Sequence, residues 1–241
     1  MLFKTSGILL HSVKYSDTSL IVKIFSSDFG LKSYIVNASR NKKSKIKASL
    51  FQPLALVEII VSNTEKAKLE RISEINIITP YTNIPYNIIK STITLFLNEI
   101  LYRAIKEQQN DINLFEFIKN SLLLLDLKQE NCSNFHVFFM IQLSRYLGFF
   151  PEGSYSISSS IFDLQEGRFI NHIPNHPFYL NEMLSNLFYQ FITSEYNSIH
   201  KLKLDKMQRK ALLKALIKFY QLHIASFGEI KSFEILEEII A

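Results

Sequence analysis

A chain of 241 residues with 47% apolar and 20% charged residues is globular rather than disordered, and is long enough for one large domain or two small ones. No apolar run reaches the roughly 18 residues that span a bilayer, Met1–Gly7 lacks the pattern of a secretory signal, and the lone Cys132 permits no internal disulfide, so a cytoplasmic location is expected. The net charge of +5 is uneven: residues 1–80 hold twelve Lys and Arg against six Asp and Glu, and the remainder holds fifteen against sixteen. Such asymmetry points to a polyanion-binding module joined to something neutral.

Residues 1–80 read as β. Ser6–Tyr15, Thr18–Ser26, Leu31–Ser39 and Leu54–Ser62 are rich in apolar and β-branched residues and are separated by turn signals such as Ser16-Asp17 and Asp28-Phe29-Gly30. A fifth segment, about Ala67–Ile78, repeats Leu69, Ile72 and Ile75 every three residues, which fits a helix or a bulged strand better than clean alternation. Five short strands joined mostly by tight turns predict a small closed antiparallel barrel, which leaves no exposed edges.

Between the third and fourth strands lies Arg40-Asn41-Lys42-Lys43-Ser44-Lys45-Ile46-Lys47, with no acid anywhere between Asp28 and Glu58. Like charges repel and resist burial, so the run belongs on a solvated loop. It is either a plain surface loop or a phosphate-contacting element that releases counterions from a nucleic acid.

Thr79-Pro80 through Pro85 marks a boundary, after which the apolar period changes to about 3.6. Ile89 to Ile105, Leu114 to Leu125 and Phe135 to Leu147 form three amphipathic helices, the last stopping at Gly148 before Pro151. Residues 150–180 break the pattern, and Ile161–Ile170 reads as a hairpin turning near Glu166-Gly167. His172 and His176 have helical spacing but lie among prolines, so a zinc site there is hard to complete. Helices are expected again at Leu180–Glu195, at Lys206–Ser226 behind Asp205, and at Phe233–Ile240. Lys206, Lys210, Lys214 and Lys218 recur every four residues, with Lys203 and Arg209 nearby. This stripe is either a solvated face or a docking site for an acidic partner.

No GxGxxG, GxxxxGK[ST], HExxH, CxxC or GxSxG pattern occurs, and the acids show no paired spacing that singles out a general acid and base. Nothing points to an enzyme or to a cofactor. A metal-dependent nuclease has no ligand set to support it.

Gly7–His11 with Lys14–Leu20 is followed by Phe29-Gly30, the basic Arg40–Lys45, and Phe51-Gln52-Pro53-Leu54. Further on come Tyr146–Pro151, Phe162–Gly167, and Tyr220–His223 with Lys231-Ser232. Together these stretches resemble the RecO family of bacterial recombination mediators. The resemblance implies an α+β chain: an OB-fold barrel in 1–80 and a helical domain in 81–241, with 150–180 as a zinc-finger-like insert. In many members that insert holds zinc through four cysteines, of which this chain has none between 148 and 180.

The implied function is binding single- and double-stranded DNA without sequence specificity, annealing complementary strands, and assisting RecA loading with RecR. That would place the chain in the nucleoid, with no membrane role. The family also docks the acidic C-terminal tail of single-strand-binding protein on its helical domain. The candidate DNA contacts are Lys32, Tyr34, Arg40, Asn41, Lys42, Lys43, Lys45 and Lys47, with Tyr15, Phe25 and Phe29 as further stacking candidates. The candidate partner site is Lys203, Lys206, Arg209, Lys210, Lys214 and Lys218. The alternative is an interaction scaffold, in which the helical domain binds an acidic peptide and the barrel is structural.

Overall fold

Five strands in the first third alternate inward and outward residues and close into a barrel. The computed structural model describes residues 2–37, 50–62, 69–106, 110–128 and 132–240. Strands β1 (Leu2–Lys14), β2 (Ser19–Ser26), β3 (Gly30–Asn37), β4 (Leu56–Ser62) and β5 (Glu70–Ile77) close in the order β1-β2-β3-β5-β4. All neighbours are antiparallel except β3 and β5. This is the expected OB-like arrangement. Val22, Ile24, Val36, Val57, Ile59 and Val61 fill its interior.

The threefold spacing in β5 has a simple cause. Ile60 pairs with Glu74 while Val61 pairs with Ile72, so Ser73 is an extra residue in a β-bulge. The bulge restores Ile72 and Ile75 to the same inward face, and both join the core. Strand β4 begins two residues later than the apolar run suggests. Leu54 sits in the left-handed region at φ 58°, an uncommon conformation for a bulky residue. The turn is held where Leu54 N–H donates to Leu9 O at 2.9 Å and Tyr81 Oη donates to Leu54 O at 2.7 Å.

Helix α1 (Ile88–Ala104) and α2 (Ile112–Leu127) follow. The chain divides into two compact units, residues 1–87 with 94–127, and 88–93 with 128–241. By this division α2 lies in the same compact unit as the barrel. There its Phe115 ring lies 6.1 Å from that of Phe25 on β2. Asp111 caps α2 by accepting from Leu114 N–H at 2.9 Å.

The second unit is built on α3 (Phe135–Tyr146), α4 (Glu182–Thr193), α5 (Lys206–His223) and α6 (Ser232–Ile239). The spacing of α3 predicts a single inward stripe including Tyr146. Instead Val137, Met140 and Ile141 are buried as well, and Tyr146 is partly exposed, because α3 is enclosed by neighbours. It packs on α4 and α5. Tyr220 Oη of α5 donates to Met140 O at 2.6 Å. Helix α5 opens on a capping box, with Asp205 accepting from Gln208 N–H and the Gln208 side chain accepting from Asp205 N–H.

The insert forms a small sheet of β6 (Ile161–Asp163), β7 (Arg168–Ile170) and β8 (Tyr179–Leu180), in the order β7-β6-β8. Its hairpin turns at Gly167, where φ is 71°, a conformation that glycine adopts at little cost. No helix among the described residues is long and apolar enough to cross a membrane.

Candidate nucleic-acid interface and peptide groove

The charge of the barrel is partitioned by position. Of the twelve basic residues in 1–80, Lys4, Lys14, Lys23, Lys32 and Arg71 fall in the described strands and turns, against the acids Asp17, Asp28, Glu58, Glu70 and Glu74. Lys4 pairs with Glu58 at 3.0 Å and Lys14 with Asp17 at 2.8 Å. The described barrel is thus electrically balanced. The whole excess comes from Arg40, Lys42, Lys43, Lys45 and Lys47 between β3 and β4, and from Lys66 and Lys68 beside Glu65 between β4 and β5. All of these, with Asn41, lie outside the described residues. Sequence reasoning passed over Lys66 and Lys68, although their charge and their place between the last two strands were legible. OB barrels engage oligonucleotides through the β2–β3 face and the loops after β1 and β4.

Two predicted contact residues are placed differently from expectation. Tyr34 is fully buried in the barrel core, so its ring offers no face to a base. Burial, with the Glu70 carboxylate nearby, pushes its hydroxyl up to about 12. Lys32 precedes Tyr34 by two positions on β3 and shares its inward direction. Its Nζ pairs with the buried Glu70 at 3.4 Å and lies 5.3 Å from the Phe29 ring centroid. Lys32 is therefore engaged within the barrel by Glu70, with its side chain still 28% exposed. Phe25 is also buried, covered by Phe115.

Tyr15, in the turn after β1, is 63% exposed and remains available for stacking. On β1, the strand leading into that turn, His11 is the cross-strand partner of Lys23 on β2. The Tyr102 ring lies 4.9 Å from His11 and 5.4 Å from Lys23 Nζ.

The α5 stripe divides among three neighbours. Lys206, Arg209 and Lys210 line a groove whose apolar wall is Leu213, Phe233, Leu236 and Ile240, with His136 and Glu237 completing it. Lys210 forms an ion pair with Glu237 of α6. Lys214 Nζ lies 5.9 Å from the Phe233 ring, whereas Lys218 Nζ turns to Phe178 of the insert at 4.3 Å. Lys203 is exposed ahead of the helix. The stripe therefore contributes Lys206, Arg209, Lys210 and Lys214 to the α5–α6 face but not Lys218. Arg209 Nη1 donates to Ile240 O at 3.3 Å and Nη2 to Leu204 O at 3.2 Å. Burial draws the Arg209 guanidinium down against the opposing pull of Asp205. Burial, with Arg209 nearby, lowers His136 to about 3, so the groove wall is neutral at that position.

The insert does not fit the four-cysteine zinc centre that the family resemblance implies. Asp163 and His176 approach at 3.3 Å, but Asp163 Oδ1 already accepts from Gln165 and Glu166 N–H. No group of three or more His, Cys, Asp or Glu among the described residues is placed to hold a metal. Apolar packing fills the role. Phe162 sits between Phe169 and Phe188 at centroid distances of 4.9 and 4.7 Å, and His223 Nε2 is 3.0 Å from Leu164 O.

Comparison with known proteins agrees with this architecture. The family model described as Recombination protein O N terminal matches residues 1–81, and that described as Recombination protein O C terminal matches residues 85–232. The DNA repair protein RecO of Bacteroides fragilis is 36% identical over 240 residues, covering 99% of both chains. Its counterpart in Flavobacterium psychrophilum is 37% identical over 246 residues, covering 100% of both. That of Porphyromonas gingivalis is 26% identical over 243 residues and 99% of both. A barrel and a helical region matched in order by the two family models, with relatives aligned end to end, establish that this chain belongs to the RecO family.

Proposed function

We propose that this chain is a DNA repair and recombination mediator that binds single- and double-stranded DNA without reading sequence, anneals complementary strands, and assists RecA loading together with RecR. One observation carries the reading: the balanced OB-like barrel leaves its entire positive excess on the two inter-strand segments 38–49 and 63–68. Lysines and arginines there neutralise phosphates, and no base-reading motif accompanies them. Bringing two neutralised strands together lowers their repulsion, and base pairing completes the annealing. Tyr15 supplies a sequence-tolerant stacking surface.

The test is binding to single-stranded DNA across salt concentrations. Replacing Arg40, Lys42, Lys43, Lys45 and Lys47 by Ala weakens binding and flattens the slope of log K against log salt by roughly 0.7 for each phosphate no longer neutralised. A further Lys66→Ala and Lys68→Ala pair flattens it again. A fivefold variant that tracks wild type at every salt concentration removes the loop assignment.

The α5–α6 groove favours a second activity of the same protein. Basic side chains beside an apolar wall suit an acidic peptide with apolar residues near its end, such as the C-terminal tail of single-strand-binding protein. In the alternative reading, where the barrel is only structural, Lys210→Glu abolishes the peptide interaction and DNA binding is absent from the start.

A further inference from the structure

The α5–α6 face contains a carboxylate of its own. Helix α6 carries Glu234, Glu237 and Glu238, followed by Ile239 and Ile240. Acidic residues followed by apolar ones are the chemistry the groove would select in a ligand, and here that sequence is covalently attached. Glu237 is ion-paired with Lys210 and has a side chain 23% exposed. Ile240 presents its carbonyl to Arg209, and Phe233 lies under Lys214. Glu234 and Glu238, one turn apart on α6, are exposed to solvent, so Glu237 is the acid of the three that is half-buried against the basic stripe.

Helix α6 is held through few buried residues. It has eight residues, and only Ser232 and Leu236 within it are buried. A helix this short has little stability of its own and depends on its packing. It is reached through Ser226 and Gly228, which have φ of 63° and 73°, so the approaching chain is sharply turned.

Resting on the peptide-groove reading above, we propose that Glu237 is an intramolecular stand-in for the acidic partner, holding the charge of Lys210 until an incoming peptide carboxylate replaces it. A carboxylate already held beside Lys210 competes without the translational and rotational entropy cost that an incoming ligand must meet. The exchange swaps one ion pair for another at Lys210 and leaves the half-buried Phe233 as the open part of the apolar wall, over the buried Leu236 and Ile240. The arrangement raises the threshold for acidic ligands in general. A single stray carboxylate gains nothing by displacing Glu237, whereas a peptide that also places an apolar end on the wall gains the additional contact.

The experiment measures the Kd of a fluorescein-labelled, aspartate-rich peptide ending in two isoleucines, using fluorescence anisotropy on the full chain. Glu237→Gln, which keeps the side-chain shape, tightens binding about two- to fivefold, the range expected for removing one partly exposed ion pair. Glu238→Gln makes the same change in net charge away from Lys210 and leaves Kd unchanged. Equal tightening by both variants overturns the proposal, because long-range charge alone then accounts for the effect. No tightening by Glu237→Gln also overturns it, and if Lys210→Glu still abolishes binding, the peptide groove itself stands. Absence of binding by wild type and by every variant removes both the groove and its internal competitor.

Discussion

The carboxylate of Asp126, in the last turn of α2, receives the backbone N–H of Ile84 at 2.7 Å across 42 residues of sequence. The same carboxylate accepts Thr82 N–H and Asn83 N–H at 2.8 Å each and Thr82 Oγ1 at 2.9 Å. Asp126 thereby fixes the segment that leads out of the barrel, and it satisfies the N–H groups at the start of a short 3-10 turn, Ile84–Tyr86.

Loss of this carboxylate leaves several N–H groups without an acceptor. Asp126→Ala lowers unfolding free energy by about 3 kcal/mol, measured by urea denaturation. Burial alone raises the Asp126 pKa, but the donors from Thr82, Ile84 and Asn83 outweigh it and hold the group below its ordinary value. Its contribution is therefore complete above the unfolded value of about 4 and is lost as pH falls through the lower folded value. The stability gap between wild type and Asp126→Asn narrows over that interval; a constant gap down to strongly acidic pH contradicts the assignment.

His136 gives a pH dependence in a different window. Its folded value is lowered to about 3, against about 6.5 in the unfolded chain. Above pH 6.5 both states are neutral there. As pH falls below that, the unfolded chain takes up a proton that the buried imidazole does not, and stability declines by up to about 1.4 kcal/mol per pH unit. His136→Gln flattens this limb between about pH 6 and 4, read from melting temperature against pH.

The barrel was legible in the sequence because alternation and turn residues report local geometry, and even the awkward Ile72/Ile75 spacing carried its own explanation in the bulge. The placement of Lys32 and Tyr34 was not legible. Both sit in a strand whose charged and aromatic members suggest an outer face, and it is the burial of Tyr34 in the core and the pairing of Lys32 with the distant Glu70 that show them pointing inward. The α5 lysines were legible as a stripe. Their division among Glu237, Phe233 and Phe178 depends on how separate elements pack, which periodicity does not encode.

The insert holds by packing, so its stability should follow its aromatic core. Phe162 is fully buried, and Phe162→Ala costs about 3–5 kcal/mol. Chelation with EDTA leaves the melting temperature of wild type unchanged. A drop on chelation, restored by zinc, would mean that the small sheet is stabilised by something other than Phe162, Phe169 and Phe188.

The capping box of α5 gives a smaller and more local effect. Asp205→Ala removes the acceptor for Gln208 N–H at 2.8 Å and lowers stability by about 1 kcal/mol. Asp205→Asn recovers most of it, because asparagine caps comparably. If Ala and Asn variants melt together, the cap contributes nothing.

The balanced charge of the described barrel makes ionic strength and stability separable properties. On the DNA-binding reading proposed above, adding salt weakens DNA affinity over orders of magnitude, whereas the evenly matched charges of the described strands give the melting temperature little dependence on salt. On the proposed DNA-binding reading, a lineage adapting to a saltier or more dilute medium retunes its grip on DNA by changing the charge of segments 38–49 and 63–68, none of whose residues is among the described core of Val22, Val57 and Val61.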